Sequence, residues 1–215
     1  LNYMNETKTD EAKYRMMTFV NMRNEGLVIL PTHRLVGNCD NFDIQKLIVS
    51  LETDFDITRF AFAGNKIQAK AEIFERLQDE FKQNRNAFGI YAADEAFYLT
   101  VLKNTEAMQQ FAPQASPATK KLDVAILHKL ILEKQLGIGP EQLASQSNVE
   151  YIKDIGTAID DSIAEVDAQR KQVVFFVNPT RIEEVEAVAA ADEKMPQKST
   201  FFYPKVFTGL AINKL

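Results

Sequence analysis

The sequence lacks the residues on which several common protein classes depend. Its single cysteine, Cys39, cannot form an internal disulfide, and its two histidines are too few for a typical zinc centre. No apolar run approaches the roughly 20 residues that a membrane-spanning helix needs, and no basic segment followed by a small-residue cleavage site opens the chain. These absences predict a cytoplasmic protein with no membrane partner.

Runs of basic residues are also absent. Lysine and arginine total 25 against 30 acidic residues, which gives a formal net charge of −5 and a pI of about 5.2. Proteins that bind DNA or RNA neutralise phosphates with a basic stripe, and nowhere in this sequence do more than two Lys or Arg residues adjoin. We therefore expect no direct nucleic-acid binding.

Familiar nucleotide-binding and catalytic motifs are missing as well. Gly137-Ile138-Gly139-Pro140 lacks the third glycine of a dinucleotide fingerprint and follows a predicted helix, so we interpret it as a helix stop. Lys198-Ser199-Thr200 ends like a phosphate-binding loop, but Met195-Pro196-Gln197 before it contains no glycine. The G-x-S-x-G pattern of a nucleophile elbow does not occur. The sequence identifies no catalytic residue.

Along the chain, segments with the apolar spacing of strands alternate with segments with the apolar spacing of helices. They predict an α+β fold, with a mixed sheet that contains hairpins and a β-α-β unit, and with helices packed on the sheet. The β-α-β unit joins strands at residues 149–152 and 172–177 through a helix at residues 155–166, and its two strands should be parallel. A helix near residues 10–13 and strands at residues 15–22 and 206–212 are also predicted.

Composition further predicts two closely docked lobes. Residues 113–119 contain Pro113 and Pro117 among Ala, Ser and Gln, which is the composition of a linker. We place an N-terminal α+β lobe at residues 1–112 and a C-terminal α/β lobe at residues 120–215. Because the first residue is Leu1 and not Met, we expect the whole to be a C-terminal fragment of a larger protein.

Both histidines are candidates for function. His128 lies in a predicted apolar helix, so we expect a core histidine that is bonded to the backbone rather than a catalytic one. His33 and Arg34 interrupt an apolar strand with polar groups, which a buried strand tolerates only at a cost. Two interpretations of His33 stay open: a ligand site, or an edge strand whose polar side chains face water.

Two later segments add candidate binding residues. Asn178 and Thr180 end an apolar strand and begin a predicted helix, where free backbone N–H groups bind anions, although helix capping alone also explains both residues. The loop after that helix is rich in hydrogen-bonding and aromatic groups, which favours a binding loop over a plain connection. The ligand-binding candidates in that loop are Lys198, Ser199, Thr200, Tyr203 and Lys205.

Three stretches resemble a bacterial and archaeal family catalogued as domain of unknown function 1015 and often labelled ParB-like. They are residues 26–35 (GLVILPTHRL), 177–180 (VNPT) and 195–205 (MPQKSTFFYPK), and order and spacing also match across residues 122–128 (LDVAILH). The resemblance covers nearly the whole chain. It implies that whole members carry an N-terminal half ending in an Asp-Gly-His-His-Arg run, similar to a motif of ParB-type nucleotide-handling proteins and free-serine kinases. That run is absent here, so the resemblance implies that any catalytic residues lie outside this chain.

Two hypotheses of function fit these residues. In the first, the chain completes a site for a nucleotide or another small anionic ligand, in which Arg and Lys hold phosphate or carboxylate, and phosphoryl transfer is the reaction class to test first. In the second, the chain is a non-enzymatic interaction or dimerisation module, with Phe201, Phe202 and Tyr203 as interface anchors. Both hypotheses allow a homo-oligomer. His33, Arg34 and Lys198 in one concave pocket would favour the first, and a flat arrangement the second.

Overall fold

Strands and helices are interspersed along the chain, as the α+β prediction requires. The computed structural model describes residues 19–205. The predicted helix near residues 10–13, the predicted strand at residues 206–212 and the first half of the strand predicted at residues 15–22 lie outside the described residues. Residues 19–22, the second half of that strand, form no strand. Within them the strands are β1 (Val28–Leu30), β2 (Thr32–Val36), β3 (Phe55–Ala61), β4 (Ala87–Tyr91), β5 (Ala96–Leu102), β6 (Val149–Lys153), β7 (Val173–Val177) and β8 (Phe201–Tyr203).

Helices begin and end where local side chains satisfy the backbone. The Asp43 side chain accepts from the N–H groups of Gln45 and Lys46, Asn65 caps the next long helix, and Gly137, with φ of 67°, ends a helix as predicted. A π-helix (Leu127–Glu133) lies between α5 and α6. The α-helices are α1 (Ile44–Leu51), α2 (Lys66–Lys82), α3 (Glu106–Phe111), α4 (Pro117–Lys120), α5 (Asp123–Ile126), α6 (Lys134–Leu136), α7 (Pro140–Ser145), α8 (Ala158–Asp167) and α9 (Ile182–Ala190).

Six strands form one sheet in the order β3-β5-β4-β7-β2-β6, and every pairing in it is antiparallel. The α+β class is confirmed, while the predicted mixed sheet is corrected to an antiparallel one. Strands β6 and β7 run in the same direction and α8 connects them, as the β-α-β prediction requires. They are not neighbours, however, because β2 lies between them and pairs with both. Periodicity did not reveal this insertion, since β2 comes from a distant part of the sequence.

Helices cover both faces of the sheet, and successive residues of a strand point to opposite faces. One face carries Val36 and Phe175 and packs beneath α1, α5, the π-helix and α9. The other carries Leu35 and Phe176 and packs beneath α2 and α8. Neighbouring residues of one strand therefore belong to different layers of the protein.

The chain divides into two compact units that differ from the predicted lobes. Ile29–Phe201 forms one unit and contains the six-stranded sheet, while Leu1–Val28 and Phe202–Leu215 form the other. Strands β1 and β8 make a separate two-stranded sheet, and the division falls within these strands. The predicted linker at residues 113–119 contains a turn and most of α4, and the lobe boundaries at residues 112 and 120 stay a prediction. None of the described helices is long and apolar enough to cross a membrane.

Candidate functional site

Strand β2 places His33 and Arg34 on opposite faces of the sheet. It lies between β7 and β6, so the interpretation of an edge strand facing water is wrong. His33 is 1% exposed, and its ring packs edge-on against Phe176 in the layer of α2 and α8, with the ring centroids 5.4 Å apart. Arg34 is 0% exposed and faces the layer of the π-helix. The two residues therefore contribute to different sites.

Arg34 is the centre of a buried polar cluster. Its Nε and Nη2 atoms lie 3.3 and 3.2 Å from Nε2 of His128, and Nη1 donates to the carbonyl of Thr32. Nη2 also donates to the carbonyl of Lys198 at 3.3 Å, and the guanidinium carbon lies 5.2 Å from the centre of the Tyr151 ring. Among the described residues, the hydrogen-bond acceptors of Arg34 are thus all uncharged.

Burial of this cluster shifts the pKa values of its members. Desolvation lowers the pKa of Arg34 to about 10, which leaves the guanidinium charged at neutral pH. Desolvation and, second, the charge of Arg34 lower the pKa of His128 to about 3, so a neutral ring accepts from Arg34. His128 is the core histidine that the sequence predicted, but its partner is a side chain and not the backbone.

The loop after α9 reaches the cluster through its main chain. Thr180 Oγ1 donates to the carbonyl of Ser199 at 2.9 Å, and the carbonyl of Lys198 accepts from Arg34. Lys198 has φ of 56°, in the left-handed region, and its side chain is exposed. Ser199 is buried, and its hydroxyl has no hydrogen-bond partner in the described part of the chain. Carbonyl groups, and not the Lys198 ammonium, therefore join this loop to Arg34.

Asn178 and Thr180 do not cap α9. The cap residue is Arg181, whose backbone N–H donates to Oε2 of Glu184 at 2.8 Å. The side-chain amide of Asn178 donates instead to the carbonyl of Leu77 on α2, at 3.2 Å. The capping interpretation of these two residues is wrong, and each holds a neighbouring segment in place.

A cleft of about 490 Å³ opens beside His33, on the face away from Arg34. Phe74, Leu77 and Phe81 of α2 form its apolar wall. The segments that follow β6 and β7 supply Asp154 and Asn178, because these two strands end at the same edge of the sheet. The cleft therefore combines an aromatic wall with a few polar groups, as small-molecule sites commonly do.

Hydrogen bonding fixes the proton of His33 on one ring nitrogen. The backbone N–H of Val177 donates to Nδ1 at 3.2 Å, so the neutral ring carries its proton on Nε2. Burial and, second, the charge of Arg34 lower the pKa of His33 to about 4, which keeps the ring neutral at pH 7. Nε2 is buried without a hydrogen-bond partner among residues 19–205, and Oδ2 of Asp154, at 3.9 Å, is too distant to accept.

This arrangement suits binding through a neutral donor. Leaving a buried N–H unsatisfied costs about 1–3 kcal/mol, which a ligand acceptor would offset. His33 is not arranged as a general base, because the Val177 N–H already uses the lone pair on Nδ1. Within the described ranges, no group of three or more His, Cys, Asp or Glu residues is placed to hold a metal ion.

The structure thus divides the predicted site residues between two places. His33 and Asn178 line the cleft. On the Arg34 side, by contrast, the carbonyl of Lys198 accepts from Arg34, and the carbonyl of Ser199 accepts from Thr180. Thr200 follows these residues in the same loop, and its binding role stays a prediction.

Tyr203 and Lys205 belong to the other compact unit, where Nζ of Lys205 lies 6.0 Å from the centre of the Phe202 ring. Their part in a ligand site stays a prediction. Sequence reasoning missed Asp154 and the aromatic wall on α2. The signal for Asp154 was its position two residues after a predicted strand, close to the position of Asn178 directly after another.

Comparisons with known proteins identify relatives of the chain. A family model described as "Protein of unknown function (DUF1015)" matches residues 1–125, and the curated proteins contain no match. Among solved structures, a conserved hypothetical protein from Pyrococcus furiosus is 14% identical, with a TM-score of 0.42 over 86% of this chain and 60% of that chain. A free serine kinase in complex with AMP is 10% identical, with a TM-score of 0.43 over 86% of this chain and 57% of that chain.

This chain therefore spans less than two thirds of the length of either structure, and likenesses of this degree support no inference about function. The ParB-like kinship that the resemblance implied stays a prediction. The family match is stronger, because it includes 125 of the 215 residues. On that match, the chain belongs to the DUF1015 family of proteins of unknown function.

Proposed function

We propose that this chain binds a small molecule in the cleft beside His33. The proposal rests on one observation: the buried Nε2–H of His33 has no acceptor in the described part of the chain, and His33 lines a cleft of about 490 Å³. Buried polar groups are almost always hydrogen-bonded, and an exception calls for a water, an ion or a ligand. A cleft of this size suits a small metabolite.

The chemistry of the cleft restricts the chemical class of ligand that it can bind. Because His33 is neutral and protonated on Nε2, it offers a hydrogen bond to an acceptor and no positive charge to an anion. Phe74 and Phe81 offer an apolar surface to a planar or aliphatic portion. The ligand that fits has an acceptor oxygen or nitrogen beside an apolar body.

A nucleotide would fit this cleft with its nucleoside part and not with its phosphates. None of the described residues that line the cleft is Lys or Arg, and the carboxylates of Glu75 and Asp154 would repel a phosphate. Arg34, which the sequence hypothesis assigned to an anion, donates to uncharged groups on the other face. If the protein transfers phosphoryl groups, this cleft would hold a nucleoside and the phosphate-binding groups would lie elsewhere.

Thermal-shift and calorimetric titrations with adenosine, AMP, tyramine and tyrosol test the proposal, because a ligand that binds only the folded state raises the melting temperature. We expect at least one of these probes to bind the wild-type chain. His33→Phe, which keeps an aromatic ring but removes the donor, should weaken binding by about tenfold, equivalent to about 1.4 kcal/mol.

A second cleft variant tests the proposal even if His33→Phe does not fold. Gln78 is an exposed residue of the cleft, so Gln78→Trp should fill the cleft without changing the melting temperature of the free protein. Ser199→Ala, which alters the loop that contacts Arg34, is the matched control and should bind like the wild type. The proposal is wrong if no probe binds, or if both cleft variants bind as tightly as the Ser199→Ala control.

A further inference from the structure

The charged groups of the His33 cleft are of one sign. Asp154 and Glu75 are the charged residues among the described residues that line it. Glu75 is exposed at the rim, whereas the side chain of Asp154 is 36% exposed and lies deeper, beside the ring of His33. A ligand in this cleft would therefore lie in a negative electrostatic potential.

Asp154 has no cationic partner in the described part of the chain. The one ion-pair contact of its carboxylate is with Nε2 of His33 at 3.9 Å, and that ring is neutral. Partial burial raises the pKa of Asp154, because desolvation disfavours its unpaired charge. A cation placed beside Asp154 would relieve this cost.

The guanidinium of Arg181 does not fill that role. It stacks on the ring of Phe81, with its carbon 3.8 Å from the ring centre, and forms an ion pair with Glu184 at 3.4 Å. Arg34 lies on the other face of the sheet, with its donors directed to Thr32, His128 and Lys198. No Lys or Arg among the described residues pairs with Asp154, so its carboxylate is available to a cation of the ligand.

We infer that the ligand of the His33 cleft carries a cationic amine, which binds Asp154 beside the acceptor that His33 binds. The acidic residues alone would not define a site. The independent observation is the buried and unpartnered Nε2–H of His33, 3.9 Å from Asp154 Oδ2, which indicates a polar ligand at the same point. Phe74 adds an aromatic ring, which attracts a cation placed near its face.

This inference rests on the proposed function and assigns the chemical class of its ligand. Tyramine and tyrosol test it, because they share a phenol ring and differ at the end of the same two-carbon chain, which bears an ammonium group in tyramine and a hydroxyl in tyrosol. We expect the wild-type chain to bind tyramine about tenfold more tightly than tyrosol at pH 7. The ratio should fall as salt is raised, since the attraction is electrostatic.

Two variants separate this inference from the proposed function. Asp154→Asn should reduce the preference for tyramine to about twofold or less and leave the affinity for tyrosol unchanged. Glu75→Gln, at the exposed rim, should have a smaller effect on the same ratio. If tyrosol binds as well as tyramine and His33→Phe weakens both, the cleft binds ligands but the amine inference is wrong. If neither binds, the amine inference is wrong, and the proposed function is wrong as well if adenosine and AMP also fail to bind.

Discussion

His33 and Arg34 are neighbours in the sequence and almost equally buried, yet their surroundings are opposite. Arg34 is charged and donates to three uncharged partners that the π-helix, β2 and the loop after α9 supply. His33 is neutral, and its one donor has no partner in the described residues while it lines an open cleft. Burial alone therefore does not distinguish a binding group from a structural one. An unpartnered donor that also lines an open cleft does, as for His33.

Removal of Arg34 tests this comparison most severely, because it should have the largest effect on stability. Arg34→Met would leave the carbonyls of Thr32 and Lys198 and the Nε2 atom of His128 without their donor. We expect the free energy of unfolding to fall by about 4 kcal/mol, because each buried acceptor left unpaired costs about 1–3 kcal/mol. Urea denaturation measures this change. Arg76→Met, at an exposed position, is the matched control and should change stability by less than about 0.5 kcal/mol. Equal stability of both variants would show that Arg34 is not structural.

Acidification should remove the contribution that the neutral rings of His33 and His128 make to the stability of the fold. The unfolded chain protonates His33 and His128 near pH 6.5, whereas the folded chain holds them neutral down to about pH 4 and pH 3. At these two histidines the unfolded state therefore binds more protons in this window, so their contribution to the free energy of unfolding falls as the pH falls, whereas burial raises the pKa of Asp123 to about 7 and protonation of that carboxyl acts in the opposite direction. We expect a loss of roughly 2–3 kcal/mol per histidine between pH 6.5 and pH 4.

Replacement of His33 isolates its own contribution to this pH dependence. Urea denaturation at pH 7, 5.5 and 4 should show a smaller loss in His33→Phe than in the wild type, by about 2 kcal/mol, because only His128 still contributes. The pH dependence is informative even if His33→Phe is less stable at every pH. If the free energy of unfolding fell equally with pH in the two proteins, the fold would not hold His33 neutral.

The hydroxyl groups of Thr180 and Ser199 should differ in their contribution to stability, because in the described chain only the Thr180 hydroxyl has a hydrogen-bond partner. Thr180 donates to the carbonyl of Ser199, so Thr180→Val should lower the free energy of unfolding by about 1 kcal/mol. The Ser199 hydroxyl has no partner in the described chain, so Ser199→Ala should be neutral or stabilising by up to about 0.5 kcal/mol. Thermal denaturation of the two variants, side by side, tests this order. A larger loss in Ser199→Ala would reverse it.

The smallest effect is expected at Lys198. Its side chain is exposed and its contact with Arg34 is made by the carbonyl, which every residue has. Lys198→Ala should therefore change the free energy of unfolding by less than about 0.5 kcal/mol. A loss several times larger in urea denaturation would show that the ammonium group stabilises the loop.

Local patterns predicted the parts of this fold that local physics determines. The α+β class, the helix stop at Gly137 and the α8 connection between strands of the same direction follow from periodicity and capping. The position of β2 between β6 and β7 does not, because strand order depends on contacts between distant segments. Asp154 could not be assigned to the site of His33 without that pairing.

The separation of His33 from Arg34, in contrast, was already implicit in the sequence. Both residues lie in a predicted strand, and successive residues of a strand face opposite sides. Applying that rule would have placed them in different sites before any coordinates were known. The contacts of the loop, through the Lys198 carbonyl with Arg34 and through the Ser199 carbonyl with Thr180, had no such signal, because every residue carries a carbonyl.

Strand β2 also has a consequence for how this cleft could change during evolution. Deleting Thr32, with the pairing of the strand kept, would move Arg34 into the place of His33 and His33 into the place of Thr32. Leu35 would then take the place of Arg34 and leave the acceptors of Arg34 without their donor, so this exchange would carry a stability cost like that expected for Arg34→Met. The loss of a single codon would then exchange a neutral donor in the cleft for a permanent cation. Relatives that differ by one residue at this point could bind ligands of opposite charge.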